Sequence, residues 1–253
     1  RGLGDVYKRQ SLCGIPKFLP SYFGLCMSKE IESLQNSLST PKKPLLAIIG
    51  GSKILTKIDI LKNLNKKVDT MIIGGAMANT FLLAKGISIG ASLFESQCID
   101  IAQDIINDAK EKNVNLIIPV DGKVAKSLSM NAVAKNKNIE DIEPDDMILD
   151  LGAESIKIIL GELKKAETVI WNGPLGAIEY KPFDQATITV AKELARNCKQ
   201  KNIKVVAGGG DTIYGINLSK CVKDFTHVST AGGAFLEWLE GKTLPGVSAI
   251  LDK

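Results

Sequence analysis

The sequence contains little histidine and few aromatic residues, and both shortages exclude kinds of site. His227 is the single histidine among 253 residues, which excludes zinc sites built on paired histidines and leaves one candidate base for a nucleophile relay. Aromatic residues make up 5% of the chain, too few for a series of base-stacking platforms. The net charge of +4, from 32 basic and 28 acidic residues, is far from that of a dedicated nucleic-acid binder. We expect no nucleic-acid partner.

Cysteine spacing and the lengths of the apolar runs exclude further classes. The five cysteines never form a C-x-x-C, which argues against a metal knuckle or a disulfide framework and favours a reduced, cytoplasmic setting. Apolar runs are far shorter than the ~20 residues that span a bilayer, so we expect no membrane partner. Residues 1–10 lack an initiator methionine and an apolar leader core. They resemble translated adapter sequence, and we leave them out of the fold prediction.

Two common nucleotide-binding signatures are also missing. No G-x-x-x-x-G-K-[ST] occurs, and no G-x-G-x-x-G follows a predicted strand. The motifs therefore support neither a P-loop enzyme nor a standard dinucleotide-binding fold.

From residue 44 onward, short apolar runs alternate with helical patterns. The runs do not alternate apolar with polar residues, which is typical of strands covered on both faces. They lie at 45–49, 70–73, 116–118, 147–149, 168–171, 204–207 and 226–229. Apolar stripes at helical spacing lie between them, for example at 99–109 and 188–195. The alternation predicts an α/β fold, a three-layer Rossmann-like domain with a doubly wound parallel sheet of about six strands.

The first forty residues have a different pattern. Residues 27–38 place Ile31, Leu34 and Leu38 on one side of a predicted helix, and Pro41 and Pro44 end it. We predict a connecting helix and linker over 11–43, the α/β domain over 44–245 and a C-terminal tail over 246–253.

Glycine clusters follow four of the predicted strands, at 50–51, 74–75, 208–210 and 232–233. In a parallel sheet, the carboxyl ends of the strands share one edge, where ligands bind. Glycine there lets backbone N–H groups approach an anion, and helix dipoles add positive potential. One such cluster is an ordinary tight turn, whereas four at one edge favour a phosphate or nucleotide site.

Two lysines follow the first glycine cluster. Lys53 and Lys57 are four residues apart, so we place them on one face of the first turn of a predicted helix. Cations oppose the dipole at a helix N-terminus, but a bound polyphosphate would reverse that effect. The alternative is a solvated lysine face shared with Lys62 and Lys66.

Two further segments carry candidate ligand groups. Asp211 and Thr212 follow the triple glycine, and Asp211 either caps the next helix or holds Mg²⁺. Asn172 ends a predicted strand before Gly-Pro, and Glu179 follows shortly after. This amide and carboxylate would serve a phosphate and a ribose, or they belong to an ordinary strand-to-helix corner.

Five segments together resemble, in order, motifs of the phosphoglycerate kinase family. They are G-G-S-K-I-L-T-K at 50–57, I-G-G-A-M at 73–77, W-N-G-P-L-G-A-I-E at 171–179, G-G-G-D-T at 208–212 and S-T-A-G-G-A at 229–234. The similarity runs from about residue 11 to the C-terminus. It implies reversible phosphoryl transfer between 1,3-bisphosphoglycerate and Mg-ADP, giving 3-phosphoglycerate and Mg-ATP in glycolysis, by a cytoplasmic monomer.

The resemblance also implies roles for individual residues. Lys53 and Lys57 would neutralise the nucleotide phosphates and the transferred group, and Asp211 would bind the Mg²⁺ of the nucleotide. Asn172 would contact a phosphate and Glu179 the ribose, while His227 would be structural. The remaining implied contacts to the nucleotide or to the transferred group come from Gly51, Gly74, Gly75, Leu149, Gly208, Gly209, Gly210, Thr212, Gly232 and Gly233. Among these, Gly74, Gly75 and Leu149 would border the adenine, and Gly232 and Gly233 would open the helix that faces the transferred group.

The sequence departs from the common family pattern in two ways. Single residues differ at Thr56, Ala76, Ile148, Ala231 and Phe235. In addition, nothing matches the N-terminal lobe, to which the family assigns a basic patch for 3-phosphoglycerate and a transition-state arginine. The resemblance therefore implies that 11–43 joins two lobes and that this chain binds Mg-nucleotide with little or no turnover.

Two alternatives stay open. The chain could be a non-catalytic nucleotide-binding or interaction fragment that kept the fold. A nicotinamide-dependent oxidoreductase would share the architecture, although its dinucleotide fingerprint is missing.

Overall fold

The computed structural model describes residues 13–38 and 40–251. The predicted adapter-like segment, 1–10, lies outside the described residues, as does the side chain of Leu38. The strands are β1 (Leu45–Ile49), β2 (Thr70–Ile73), β3 (Asn115–Ile117), β4 (Asp121–Ala125), β5 (Lys135–Asn138), β6 (Met147–Leu151), β7 (Thr168–Asn172), β8 (Lys204–Gly208) and β9 (His227–Ser229). The helices are α1 (Leu25–Leu38), α2 (Ile58–Leu64), α3 (Met77–Ala84), α4 (Ile99–Glu111), α5 (Ala153–Leu163), α6 (Gln185–Lys201), α7 (Gly210–Ser219), α8 (Gly233–Leu239) and α9 (Pro245–Leu251).

The main sheet has six parallel strands in the order β3-β2-β1-β7-β8-β9. Every residue of β1, β2 and β7 is buried, as their unbroken apolar runs predict for strands covered on both faces. The predicted parallel sheet of about six strands is confirmed.

Helices cover both faces of this sheet, which gives the predicted three layers. On one face, Leu45, Ala47 and Ile49 pack in a core to which α2, α3, α4 and α8 contribute. On the other face, Leu46 and Ile48 pack in a second core with residues of α5, α6 and α7. Successive β1 side chains therefore enter opposite cores, as the two-residue period of a strand requires.

A second sheet has three antiparallel strands in the order β5-β4-β6. We expected the apolar run at 147–149 to belong to the parallel sheet, and that was wrong, because β6 pairs with β4 instead. The pattern could not separate the two sheets, since β6 is itself apolar. The strands β4 and β5 were not predicted, because Asp121 begins one and the other reads K-N-K-N.

The predicted connecting helix is present as α1, two residues longer at its start than the pattern gave. Its Ile31 and Leu34 are buried, and the helix contacts β7 and β8. Helix α9 covers most of the predicted tail. Within the described residues, no helix is long and apolar enough to cross a membrane. The domain boundaries proposed from the sequence stay predictions.

Candidate functional site

The predicted glycine clusters all lie at one edge of the main sheet. β1, β2, β8 and β9 run parallel, and each ends next to one of the four clusters. The carboxyl end of β7 lies at the same edge and continues into the Gly173 turn. The chain connects outward from β1 to β2 and from β7 to β8, so β1 and β7 form the switch point of the sheet. Ligands bind at such points in open α/β sheets.

The backbone amides of two of these clusters are already used within the protein. Gly50 N donates to Asn172 O and Gly51 N donates to Pro174 O, both at 2.9 Å. Gly74 N donates to Ile49 O and Gly75 N donates to Leu175 O, again at 2.9 Å. These N–H groups are therefore not free for an anion, contrary to what we inferred from the sequence.

Close packing explains these glycines instead. A Cβ on Gly50 would lie 2.0 Å from Pro174 O, and one on Gly75 would lie 2.5 Å from Gly51 O. Gly51 and Gly75 also have positive φ angles, of 107° and 68°, which other residues adopt at a cost. The glycines let the turns after β1, β2 and β7 contact one another directly, and their predicted contacts with a nucleotide stay predictions.

Lys57 is the cation at the centre of this edge. Its Nζ donates to Gly50 O at 2.5 Å and lies 3.5 Å from Asn172 O, so it joins the ends of β1 and β7. Burial lowers the pKa of Lys57 to about 8, and the nearby Asp211 carboxylate partly opposes that shift. Lys57 is therefore not part of a solvated lysine face.

The local structure around the two lysines differs from the prediction. Helix α2 begins at Ile58, so Lys57 is its N-cap and Lys53 lies in the preceding turn, not in the first turn of a helix. Lys53 is exposed, and no described residue bonds to its ammonium group. The Glu95 carboxylate accepts from the backbone N–H of Ile54 and, at 3.2 Å, from that of Leu55. Glu95 therefore holds the segment that carries both lysines.

The start of α7 tests the capping interpretation of Asp211. Gly209 is the N-cap with a φ of 98°, and no side chain caps the helix. Thr212 Oγ1 instead accepts from Gly173 N at 2.6 Å, which ties α7 to the turn after β7. Asp211 is exposed and has no hydrogen bond or ion pair with a described residue. The capping interpretation is wrong, and the carboxylate is available to a ligand.

Asn172 is buried at the end of β7. Its Nδ2 donates to Gly208 O at 2.8 Å, while its Oδ1 has no partner among the described residues. A Cβ on Gly209 would lie 2.7 Å from that Nδ2, so the amide fills the space beside the α7 start. One N–H of the amide is used in the bond to Gly208 O, and the buried Oδ1 is left without a partner among the described residues. Its phosphate role stays a prediction.

The predicted adenine and ribose residues lie along one connected segment. Leu149 O accepts from Ala177 N at 2.8 Å, which joins β6 to the chain after β7. The side chain of Leu175 packs on Gly74, where a Cβ would lie 2.4 Å from its Cδ2. Glu179 is exposed a few residues further on. Gly74 and Leu149 therefore flank one loop, and their contact with a base stays a prediction.

The last glycine cluster opens α8, as predicted. Gly232 is the N-cap with a φ of 59°, and Gly233 begins the helix. The Phe235 ring packs on Gly208, where a Cβ would lie 2.5 Å from the ring. Phe235, a departure from the family pattern, therefore fills space beneath the β8 turn. The role of Gly232 and Gly233 towards a transferred group stays a prediction.

His227 lies apart from these groups, beneath α1. Its Nε2 lies 2.9 Å from Glu30 Oε2, and Ser229 Oγ donates to the other oxygen of the same carboxylate. The histidine thus connects β9 to α1, which is compatible with the structural role that the resemblance implies.

Sequence reasoning missed three residues that hold this edge in place. Glu95 binds the lysine segment, Thr187 Oγ1 accepts from Leu175 N at 3.0 Å, and Asp150 Oδ2 accepts from Ala186 N at 3.0 Å. None lies in a glycine cluster, and Glu95 and Thr187 are also not next to a predicted ligand group along the chain. Asp150, directly after the predicted Leu149, is the one that an acidic residue in an apolar strand could have marked.

The residues at this edge fit a Mg²⁺-nucleotide. Mg²⁺ in phosphate sites takes one or two carboxylates, with phosphate oxygens and water completing its shell. Asp211 supplies one unpaired carboxylate at a helix start, Lys57 a nearby cation, and Asn172 an unpaired buried oxygen. Elsewhere in the described residues, the acidic cluster of Glu143, Asp145 and Asp146 is bonded by lysines.

The fold and this edge define a doubly wound α/β domain with a lysine at its switch point and a free carboxylate at the neighbouring strand end. A model of the family described as phosphoglycerate kinase matches residues 6–242. The phosphoglycerate kinase of Caulobacter vibrioides is 48% identical over 257 residues, covering 98% of this chain and 65% of the relative. That of Methylorubrum populi is 48% identical over 260 residues, with coverages of 99% and 65%.

Solved structures agree with these relatives. Phosphoglycerate kinase from Coxiella burnetii superimposes with a TM-score of 0.91 and 41% identity, covering 96% of this chain and 62% of that one. The enzyme from Pyrococcus horikoshii gives a TM-score of 0.79 and 26% identity, with coverages of 96% and 60%. The chain belongs to the phosphoglycerate kinase family, and it spans about 65% of the length of the curated relatives it matches.

Proposed function

We propose that this chain binds Mg-ADP and Mg-ATP at the glycine-rich edge and forms the nucleotide half of a phosphoglycerate kinase. The reaction would be reversible phosphoryl transfer between 1,3-bisphosphoglycerate and Mg-ADP, giving 3-phosphoglycerate and Mg-ATP, as in glycolysis. The observation that carries the proposal is Lys57, a cation held by Gly50 O and Asn172 O at the switch point of the sheet. A buried cation at a ligand edge is suited to an anionic group.

The proposed mechanism uses charge and position. Phosphoryl transfer needs little covalent chemistry from the protein, because catalysis comes from orientation and from neutralising the charge of the transferred group. Lys57 would hold its proton and its charge beside the phosphates, and Lys53, which is exposed, would approach them from solvent. Mg²⁺, when bound, would neutralise the phosphate oxygens, and Asp211 would hold it. The starts of α7 and α8 would add backbone N–H groups that have no intrahelical acceptor.

Whether this chain alone catalyses phosphoryl transfer is a separate proposal from nucleotide binding. The family motifs found in this sequence belong, by the resemblance, to the nucleotide half, and the match covers 65% of the Caulobacter vibrioides relative. Since transfer requires both substrates to be positioned together, we expect this chain alone to bind Mg-nucleotide with little or no turnover. The monomeric state and the cytoplasmic location implied by the resemblance stay predictions.

Calorimetric titration of the purified chain with Mg-ADP tests the proposal. We expect one site whose affinity falls when Mg²⁺ is removed with a chelator. NADH should not compete with ADP, which separates this function from that of a nicotinamide-dependent oxidoreductase. A flat Mg-ADP titration would favour the non-catalytic interaction fragment instead. Measurable phosphoryl transfer by the chain alone would contradict the turnover proposal.

A further inference from the structure

The turn at residues 173–176 connects the elements of the glycine-rich edge. Pro174 O accepts from Gly51 N, and Leu175 O accepts from Gly75 N, both at 2.9 Å. The turn therefore bonds to the chain after β1 and to the chain after β2. Its position sets where both glycine turns lie.

The same turn is held from the opposite side by two hydroxyl groups. Gly173 N donates to Thr212 Oγ1 at 2.6 Å, and Leu175 N donates to Thr187 Oγ1 at 3.0 Å. Thr212 already belongs to the predicted nucleotide site. Thr187 does not, because it lies in the first turn of α6, behind the turn.

Thr187 is itself fixed by its surroundings. It is fully buried, and its Cγ2 packs against α7, where a Cβ on Gly215 would lie 2.6 Å away. The next residue towards the N-terminus, Ala186, donates its backbone N–H to Asp150 Oδ2 at 3.0 Å. The start of α6 is thus bound to β6 and packed on α7, so the Thr187 hydroxyl has one defined place.

We propose that Thr187 is a positioning residue of the nucleotide edge, whose hydroxyl fixes the 173–176 turn through the Leu175 amide and so places the Gly51 and Gly75 turns. This inference rests on the proposed function for its ligand, but Thr187 touches no nucleotide. Without the hydroxyl, Leu175 N–H is a buried donor with no acceptor, which costs free energy. A shift of the turn that brings this N–H to another acceptor would then be favoured.

Two pairs of variants isolate the hydroxyl group. In the first pair, the wild type and Thr187→Val have side chains of nearly the same shape, and only the wild type has the hydroxyl. In the second pair, Thr187→Ser keeps the hydroxyl and Thr187→Ala lacks it. The second pair serves if the valine variant does not fold. Thr168→Val is the matched control, because Thr168 is equally buried and begins β7 at the end away from the site, where its hydroxyl donates to Lys42 O.

The first measurement is Mg-ADP affinity by calorimetry. We expect Thr187→Val to weaken binding about tenfold, the effect of one unsatisfied buried donor, and Thr187→Ser to retain wild-type affinity. Thr168→Val should bind as the wild type does, whatever it does to thermal stability. Equal affinities for the valine variant and the wild type, or equal losses for valine and serine, would overturn the proposal.

The second measurement is residue-resolved amide hydrogen exchange without nucleotide. We expect the Leu175 and Gly75 amides to lose protection in Thr187→Val but not in Thr187→Ser, while amides of β3 stay unchanged. A uniform loss across the chain would mean that Thr187 only stabilises the fold, and it would overturn the inference. If the wild type binds no Mg-ADP, the proposed function fails, and the exchange result still decides whether Thr187 positions the turn.

Discussion

The ammonium group of Lys57 lies 2.5 Å from the carbonyl oxygen of Gly50. This contact brings a cation into the narrow space where the chains leaving β1 and β7 meet. Gly173 also borders this amine, because a side chain there would place its Cβ only 2.7 Å from Lys57 Nζ. The amine is therefore confined between backbone groups, and this burial changes the pH at which it loses its charge.

Nucleotide binding should take up a proton at Lys57. Burial lowers the pKa of the free site to about 8, and anionic phosphates beside the amine would raise it. Affinity is then flat below about pH 7 and falls as the pH rises through about 8, because binding requires the protonated amine. Calorimetry of Mg-ADP binding at pH 8 in buffers of different ionisation enthalpy measures the uptake directly.

Lys57→Arg provides the control for this proton uptake, because arginine stays charged at these pH values. Binding by the arginine variant should show no uptake and little pH dependence between about pH 7 and 9. Equal proton uptake by the variant and the wild type would assign the titration to another group and contradict the prediction.

Removal of the Lys57 charge should weaken nucleotide binding without lowering the stability of the fold. In Lys57→Met, Mg-ADP affinity is expected to fall at least about tenfold, since a charged partner of the phosphates is lost. The free energy of unfolding at pH 7 should be unchanged or higher, because a pKa of about 8 means that folding disfavours the charged amine. That gain should shrink as the pH rises from about 8 through 10.5, the usual pKa of a lysine, because above it the wild-type amine is neutral in both states.

Lys62→Met is the matched control for this variant. Lys62 is exposed on α2 and lies outside the switch point. The Lys62→Met variant should have the Mg-ADP affinity of the wild type and the same pH dependence of unfolding. A large loss of stability in Lys57→Met, measured by denaturant unfolding at pH 7, would show that the bond to Gly50 O outweighs the burial of the charge.

Asp211 should account for the magnesium dependence of binding. The carboxylate is exposed and bonded to no described residue, so Asp211→Asn should leave the unfolding temperature unchanged. Affinity for Mg-ADP should fall, while the weaker affinity for ADP in a chelator should stay the same or rise, because a negative charge near the phosphates is gone. The exposed Asp104→Asn on α4 serves as the control. Wild-type magnesium dependence in Asp211→Asn would assign the metal to other ligands.

The main sheet could be predicted from the sequence because burial on both faces leaves a direct trace. The runs that became β1, β2 and β7 are apolar at nearly every position, as strands covered on both faces require. The strand β5 leaves no such trace, since K-N-K-N is mostly exposed and is a strand only because it pairs with β4. Pairing of that kind is a tertiary effect, invisible to local pattern.

The candidate site divides in the same way. The sequence could mark Lys57 and Asp211 as candidates because each follows a glycine cluster at the end of a strand. The groups that hold them could not be marked in this way, because Glu95 lies about forty residues from the segment it binds and Thr187 meets Leu175 across the start of α6. The glycine amides were misinterpreted for a related reason: only the three-dimensional contacts show that Gly51 and Gly75 donate to the 173–176 turn.

Glu95 should support binding from a distance. Its carboxylate accepts from Ile54 N and Leu55 N, in the turn between Lys53 and Lys57. In Glu95→Ala these amides lose their acceptor, so the turn should loosen and Mg-ADP affinity should fall about three- to tenfold. Glu111→Ala, at the exposed end of α4, is the control for loss of one negative charge. If the removal of charge alone mattered, both variants would strengthen binding, and the prediction would be wrong.

The stability of the domain should depend on pH through Asp150. Burial raises the pKa of this carboxyl from 3.8 to about 7, although the backbone N–H groups of Ala186 and Leu151 partly oppose the shift. A carboxyl whose pKa is higher in the folded state binds more protons there than in the unfolded state. Its contribution to stability is therefore greatest below about pH 4 and is lost as the pH rises through about 7.

Denaturant unfolding of the wild type and Asp150→Asn between about pH 4 and 8 isolates this contribution as the difference between the two curves. The wild type should lose stability relative to the variant as the pH rises, by an amount that levels off above about pH 7. Asp146→Asn, measured down to about pH 2, should differ from the wild type in the opposite sense, with the change confined to the range below about pH 4. At Asp146, bonds from Lys137 and the Glu143 amide outweigh burial and lower the pKa to about 2, so its contribution is lost as the pH falls. A flat difference curve for Asp150→Asn would mean that the carboxyl stays ionised at the start of α6, held by its two backbone donors.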